Sequence, residues 1–221
     1  MDGNGRWAKN RNKPRPFGHR QGVKAVRTTI DHCNSIGVEY LTLYVFSAEN
    51  WKRPEGEVSL LMELFVEMMK KELRNLARKN ARILFLGNER KLPAKVKKTL
   101  FEAREKTKNN TGLKLQLAIS YGGREEIIEA AKKILNTAPD EETVTEDYFS
   151  RHLYNPDTPD PELIIRTGGN YRISNFLLWQ AAYAELYFTP TLWPDFREAE
   201  LDAAIAEFNR RERRFGKVQD E

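Results

Sequence analysis

An α/β fold, one layered domain with a mostly parallel central sheet flanked by helices, is what three features of this sequence predict. Runs of β-branched and aromatic residues alternate with runs of helical periodicity along the chain. The first of the strand-like runs, 38–46 (VEYLTLYVF), is apolar at nearly every position, which suits a strand buried on both faces of a parallel sheet. The 221 residues show no break in composition and no low-complexity linker, so we expect a single domain, 1–221.

In chain order, residues 1–18 carry prolines and glycines without periodicity and read as a loop. Val23, Val26, Ile30 and Cys33 then repeat at helical spacing toward Gly37, and the strand 38–46 opens into Ser47-Ala48-Glu49-Asn50-Trp51-Lys52-Arg53-Pro54. Ligands of open α/β sheets sit beyond the C-terminal ends of strands, which makes this loop a site candidate by position. The helix 57–79 has two apolar stripes, Leu61, Leu64, Phe65, Met68 and Leu76 on one and Val58, Met62, Val66 and Met69 on the other. Such a helix is either deeply buried or lines an apolar cavity on its second side. A strand at 81–86, a surface helix at 93–108 and a strand at 113–120 follow, and Tyr121-Gly122-Gly123-Arg124 turns into the helix 125–135. A loop around 155–161 precedes the short strand 163–166, the glycine turn 167–172 and an apolar segment, 173–188. The last helix, 198–214, ends in the basic run 210–214.

A net charge of +5 suits nucleic acid, an anionic membrane or a phosphorylated substrate equally. Cys33 is the only cysteine, which excludes an intrachain disulfide or a thiolate metal cluster and points to a reducing compartment, the cytoplasm. No apolar run reaches the roughly 18 residues that a membrane span needs.

Three loops share one chemical signature: Asp2 to Arg6 with Arg15 and His19, Ser47 to Arg53, and Arg166 to Ser174. Glycines turn backbone N–H groups toward an anion, arginines fork onto phosphates, and Asp2 among them fits a divalent cation carried by a phosphate. The remaining ligands of a calcium loop are absent. Taken singly, each arginine reads as a solvated charge, Gly168-Gly169 as a plain turn, Trp51 as packing and His19 as structural. Their joint placement at strand ends is what points to a site. Arg6, Arg15, Arg53, Arg166 and Arg172 offer more forked donors than one phosphate uses, so a diphosphate or two phosphorylated substrates are expected.

Several stretches resemble one family: Met1-Asp2-Gly3-Asn4-Gly5-Arg6-Trp7-Ala8, Phe17-Gly18-His19, Phe46-Ser47 through Glu49-Asn50-Trp51, Arg53-Pro54, Tyr121-Gly122-Gly123-Arg124, Arg166-Thr167 and Ile173-Ser174-Asn175-Phe176-Leu177-Leu178-Trp179-Gln180. In order and across the whole chain they are similar to the cis-prenyltransferases. The resemblance implies a homodimer that lengthens an allylic diphosphate, farnesyl diphosphate, by cis addition of isopentenyl diphosphate with Mg2+. The product would be a long-chain polyprenyl diphosphate, the undecaprenyl carrier of cell-wall synthesis. It implies that Asp2 handles the metal, that Gly3, Asn4, Gly5, Arg6 and Trp7 cradle the allylic diphosphate with Arg15 and His19, and that Ser47, Ala48, Glu49, Trp51 and Arg53 form a mobile substrate loop. Asn50 would take part in proton removal; an amide is a poor base, so orienting the acceptor is the chemistry expected of it. Arg166, Arg172, Ile173 and Ser174 would hold isopentenyl diphosphate, Glu185 would bind metal near the dimer interface, and Arg214 with Gly216 would reach the neighbouring subunit. No nucleic acid is implied, and product release implies peripheral membrane contact.

The growing isoprenoid needs a tunnel between sheet and helices, and Leu61, Phe65, Met68, Met69 and Leu113 are the expected walls. The chain departs from the family in three places. The apolar strand that the family carries ahead of Met-Asp-Gly-Asn-Gly is missing upstream of Met1. Asn170 and Tyr171 stand where Glu and His are common, leaving Glu185 as the acidic candidate on that side. These departures keep a rival open, a non-catalytic partner subunit of the same fold. A basic RNA-binding protein, suggested only by charge, has no account of Asp2.

Overall fold

The structure is a computed structural model that describes residues 1–137 and 139–212. The chain runs through α1 (Asn4–Lys9), α2 (Arg15–Ser35), β1 (Tyr40–Ser47), α3 (Glu55–Arg78), β2 (Arg82–Leu86) and α4 (Ala94–Thr107). It continues with β3 (Lys114–Tyr121), α5 (Gly123–Thr137), α6 (Glu146–Ser150), β4 (Leu163–Arg166), β5 (Glu185–Phe188) and α7 (Glu198–Arg210). No helix among the described residues is long and apolar enough to cross a membrane.

All described strand pairing is parallel. It falls into two sheets, β1-β3-β2 and β4-β5, where the sequence led us to expect one. β3 lies in the middle and is buried on both faces. Its Leu115, Leu117 and Ile119 join the main core with α2, α3 and α4, while Ala118 and Tyr121 join a smaller cluster with Leu86 and Leu177. Burying each such Leu or Ile contributes roughly 1.5–3 kcal/mol.

β1 and β4 each keep an edge that no described strand pairs. Every residue of both strands lines one cavity of about 1510 Å³. Side chains of a strand alternate between faces, so an unbroken run of lining residues means that the two strand edges themselves meet the cavity.

The helix 57–79 is realised as α3, and both of its stripes contribute to the cavity wall, the second through Met62. Leu61, Leu64, Phe65 and Met68 line the cavity, whereas Met69 (1% exposed) is packed core. Leu113, expected as a wall, is likewise core (3% exposed) and lies outside the lining.

One further expectation changes. Residues 1–18 are not a loop: they form α1 and the start of α2, held by tertiary contact rather than by an apolar stripe. Only Ala8 of α1 is buried, and a Cβ on Gly18 would sit 2.0 Å from the Asn4 carbonyl oxygen, so glycine there lets the two helices touch. Of 173–188, only Glu185–Phe188 is a strand, because Ser174, Asn175 and Leu177 all adopt positive φ and break regular structure. α6 carries too short a pattern to read from sequence; Thr145 caps it by accepting from the Tyr148 N–H. Residues 213–221, with Arg214 and Gly216, lie outside the described residues.

Candidate active site

Asp2 is fixed through its backbone. Its N–H donates to Oγ1 of Thr167 at 2.9 Å, and its carbonyl accepts from that hydroxyl at 2.8 Å and from the Trp193 N–H at 3.0 Å. Thr167 directly follows β4 and is 2% exposed, so the start of α1 is tied to the C-terminal end of that strand.

The Asp2 carboxylate meets three donors. Oδ2 accepts from Arg166 Nη2 at 3.0 Å and from Asn170 Nδ2 at 2.9 Å, and Arg6 Nη2 lies 3.4 Å away. Burial works against the charged form, but the hydrogen bonds from Asn170 and Arg166 and the charges of Arg166 and Arg6 outweigh it, holding the group below the usual carboxylate range. None of these donors uses Oδ1. Arg166 in turn donates through Nη1 to Ser174 Oγ at 2.6 Å and to the Arg172 carbonyl, so it joins the Asp2 side of the site to the 172–174 loop.

On the other side, Arg15 and Arg53 both reach Oε1 of Glu57, at 3.4 and 3.0 Å. Burial, reinforced by Arg53 and Arg15 and opposed by Glu57, lowers the His19 pKa to about 4. The imidazole is therefore neutral near pH 7. Its Nε2, like Arg166 Nε and Asn4 Oδ1, is buried without a partner. Buried polar atoms of this kind are costly unless a ligand engages them; His19 lies beside Arg53, Glu57 and Arg15, whereas Asn4 Oδ1 points at Gly22 in the contact of α1 with α2. The first-turn N–H groups of α1 also have no intrahelical acceptor.

The loop after β1 forms a short 3-10 turn, Ala48–Lys52. Asn50 Oδ1 accepts from the Ser47 N–H at 3.1 Å, which leaves the Nδ2 amine to donate. Ser47, Glu49, Asn50 and Arg53 line the cavity, as do Arg172, Ile173 and Ser174 from the other loop.

Several residues expected at the substrates stand elsewhere. Trp7 donates its indole N–H to Asp195 at 2.6 Å, stacks on Phe17 and lies beneath Arg11, outside the cavity lining. Trp51 donates to Ser120 Oγ at 2.9 Å and packs edge-on against Phe46; Ala48 also lies outside the lining. Glu185 pairs with Arg211 at 2.7 Å. It opens β5, in register with Leu163, whereas Arg166 lies level with Phe188, so within one chain it is at the strand end away from Asp2. The N–H groups of Gly168 and Gly169 bond the carbonyls of Thr191 and Thr189, which makes that glycine pair a turn and leaves neither N–H for an anion.

Among the described residues no three His, Cys, Asp or Glu side chains cluster as a metal cage. One carboxylate with Oδ1 outside the ion-pair network still suits Mg2+, which keeps most of its waters and is commonly held by one or two carboxylates together with substrate phosphates. Sequence reasoning missed Thr167 and Glu57. Thr167 stands in the sequence as the neighbour of Arg166 with nothing to mark its hold on Asp2, whereas Glu57 carries a signal, four residues after Arg53 on a helical start.

The chain matches, over residues 1–216, the prenyltransferase family model described as undecaprenyl diphosphate synthase. It is 51% identical over 221 residues to an isoprenyl transferase of Neisseria gonorrhoeae, covering all of this chain and 88% of that protein. It is 47% identical over 220 residues to the (2E,6E)-farnesyl-diphosphate-specific ditrans,polycis-undecaprenyl-diphosphate synthase of Vibrio vulnificus, covering 98% of this chain and 88% of that one. The crystal structure of lavandulyl diphosphate synthase from Lavandula x intermedia, in complex with dimethylallyl diphosphate, superposes with a TM-score of 0.95 at 33% identity, covering 98% of this chain and 95% of that chain. With its parallel strands, its arginine-ringed Asp2 and a match along its whole length, this chain belongs to the undecaprenyl diphosphate synthase family and is a cis-prenyltransferase.

Proposed function

We propose that this cis-prenyltransferase lengthens farnesyl diphosphate by successive cis additions of isopentenyl diphosphate, giving the polyprenyl carrier lipid of cell-wall synthesis. The observation that carries the reading is the set of arginines on one cavity, Arg6 and Arg166 at Asp2, Arg15 and Arg53 at Glu57 and Arg172 on the loop after β4, where the helical wall is apolar. The Vibrio vulnificus relative, farnesyl-specific by name, and the dimethylallyl diphosphate of the lavender enzyme support the substrate assignment.

In this reading Arg6, Arg15, neutral His19 and the first-turn N–H groups of α1 bind the allylic diphosphate, and Arg166, Arg172 and Ser174 bind isopentenyl diphosphate. The allylic C1–O bond breaks, its electron pair leaving with diphosphate, while C1 bonds to C4 of the second substrate. The arginines meet the charge that develops on the leaving group. A proton then leaves C2 for a diphosphate oxygen, which Asn50 orients through its Nδ2 amine. Asp2, together with the diphosphate, would hold Mg2+, which would supply further neutralisation of that charge.

The apolar wall on α2 and α3, with Val26, Leu61, Phe65 and Met68, takes the growing chain. The edges of β1 and β4 that no described strand pairs both meet the cavity, where one further parallel strand would pair with them. Exposed Tyr183 and Leu186 support a homodimer through the β5 side, where Glu185 would face a partner. Purified protein given Mg2+, farnesyl diphosphate and labelled isopentenyl diphosphate tests the reading. Incorporation that Asp2→Ala abolishes supports it; no incorporation, with a strand paired to the edges of β1 and β4, assigns the chain to the non-catalytic partner class.

A further inference from the structure

Tyr121-Gly122-Gly123-Arg124 has no part in the chemistry above, yet three segments converge on it. Asn175 is the residue that joins them. Its backbone carbonyl accepts from the Gly123 N–H at 2.8 Å, its Oδ1 accepts from the Arg124 N–H at 2.9 Å, and its Nδ2 donates to Glu49 Oε1 at 2.7 Å. The first two bonds cap the start of α5 from 51 or more residues away, so α5 and the 172–175 loop hold each other. The third ties that pair to the 3-10 turn that carries Asn50. A Cβ on Gly122 would lie 2.7 Å from Asn175 Nδ2 and 3.2 Å from Ala48 Cβ, so only glycine leaves room for the three to meet.

The junction has two unusual features. Ser174 and Asn175 both adopt positive φ, a conformation that Asn accepts more readily than Ser and that persists where surroundings hold it. And Asn175 is flanked by function on both sides: Ser174, its neighbour, bonds Arg166, while Glu49, its partner, adjoins Asn50. The two loops reach the cavity from separate strands, β1 and β4, that share no sheet. Nothing in the sheets fixes their spacing.

We propose that Asn175 is a positioning residue that sets the distance between Asn50 and the isopentenyl diphosphate side of the site by locking the Glu49–Asn50 turn to the N-terminus of α5 and to the Ser174 loop. The role in turnover rests on the elongation reading; the lock itself does not.

The test uses the full chain and a charge-neutral swap. Asn175→Asp keeps the oxygen that caps Arg124 but sets a carboxylate against Glu49, and combining it with Glu49→Gln restores a donor and an acceptor with their direction reversed. Asn175→Asp is expected to lower kcat by about 10- to 100-fold, because misplacing reacting groups is costlier than weakening their binding, with a smaller change in KM for isopentenyl diphosphate. Hydrogen–deuterium exchange of 47–53, measured without substrate, should rise in Asn175→Asp and in Glu49→Ala, and fall back in the double variant together with recovery of kcat. Unchanged exchange in Glu49→Ala, which leaves the α5 cap intact, overturns the proposal, as does a double variant no better ordered than Asn175→Asp. Should the unaltered chain fail to incorporate isopentenyl diphosphate, the elongation reading falls while the exchange measurements still decide the lock.

Discussion

The side-chain amide of Asn170 donates to Oδ2 of Asp2 at 2.9 Å. Asn170 therefore supports the charged form of Asp2, where a carboxylate would compete with it. Asn170→Asp places two carboxylates at hydrogen-bond distance with Arg166 as their nearest shared cation, and like charges that close resist joint ionisation. Without divalent cations the variant should lose about 1 kcal/mol of stability, a modest figure because Asp2 is partly solvated. Mg2+ should restore it, since two carboxylates bind the ion better than one. Thermal melts titrated with MgCl2 check this: a larger rise in Tm than in the unaltered chain is expected, and an equal rise would count against it. The sign with pH is fixed as well. A carboxyl whose folded pKa is depressed stabilises above its ordinary value near 3.9 and loses that contribution as pH falls through the lower folded value. Asn170→Ala should weaken this acid-range dependence.

The amine of Met1 is buried, which outweighs the attraction of Asp2 and is reinforced by Arg166, and its pKa falls from 8.0 to about 6. For a polypeptide that begins at Met1, the unfolded state binds more protons than the folded one between those values, so stability rises with pH across that window, by at most about 3 kcal/mol. Extending the chain ahead of residue 1 with an apolar, strand-forming segment replaces the amine by an amide. That should abolish the slope and raise Tm by pairing with the edges of β1 and β4. Denaturant titrations at pH 6 and pH 8 on both polypeptides measure it; a slope that survives extension rejects the Met1 amine as its source, and a Tm that does not rise rejects the strand assignment.

Met68 and Met69 are adjacent on α3 and face different surroundings, cavity and core. Met69→Ala should cost about 2–5 kcal/mol by opening a void in packed core and leave product length unchanged. Met68→Ala should widen the cavity wall, cost less, and shift products to longer chains. Sizing the labelled polyprenyl products of both variants beside their melts separates the two positions; the same product ladder from Met68→Ala and the unaltered chain would remove Met68 from the wall proposed for the growing chain.

That pair also marks how far the sequence could be read. Apolar periodicity fixes that α3 is a helix with two buried stripes, but it cannot say which residue meets atoms and which meets space, because both demand the same residue types. The arginines and Asp2 were legible since glycine-rich, charged strings at strand ends have no packing role. The partners of Thr167, Asn170 and Asn175 were not: they lie 165, 168 and 126 residues away, at Asp2, Asp2 and Glu49. Contacts of that range follow from topology, and a polar residue in a loop has many uses. α1 was lost for a related reason, its helix resting on Gly18 rather than on a stripe of its own.

Asn50 offers a decision between two chemistries. Were its side chain the proton acceptor, replacing the amide by a carboxylate would supply a stronger base in the same volume, and Asn50→Asp should retain or gain activity as pH rises above 4. The structure engages Oδ1 with the Ser47 N–H at 3.1 Å and leaves the Nδ2 amine as the group free to act. Asn50→Asp keeps the Ser47 bond but turns that donor into an anion facing diphosphate. The expected result is a loss of about 10²–10³ in kcat, of the order seen when one donor to a developing anion is removed. Because repulsion acts on the ionised form, activity should be least impaired at the acid end of the range and worsen as the new carboxylate ionises. A pH–rate profile of Asn50→Asp in which activity instead rises with pH would return Asn50 to the role of base.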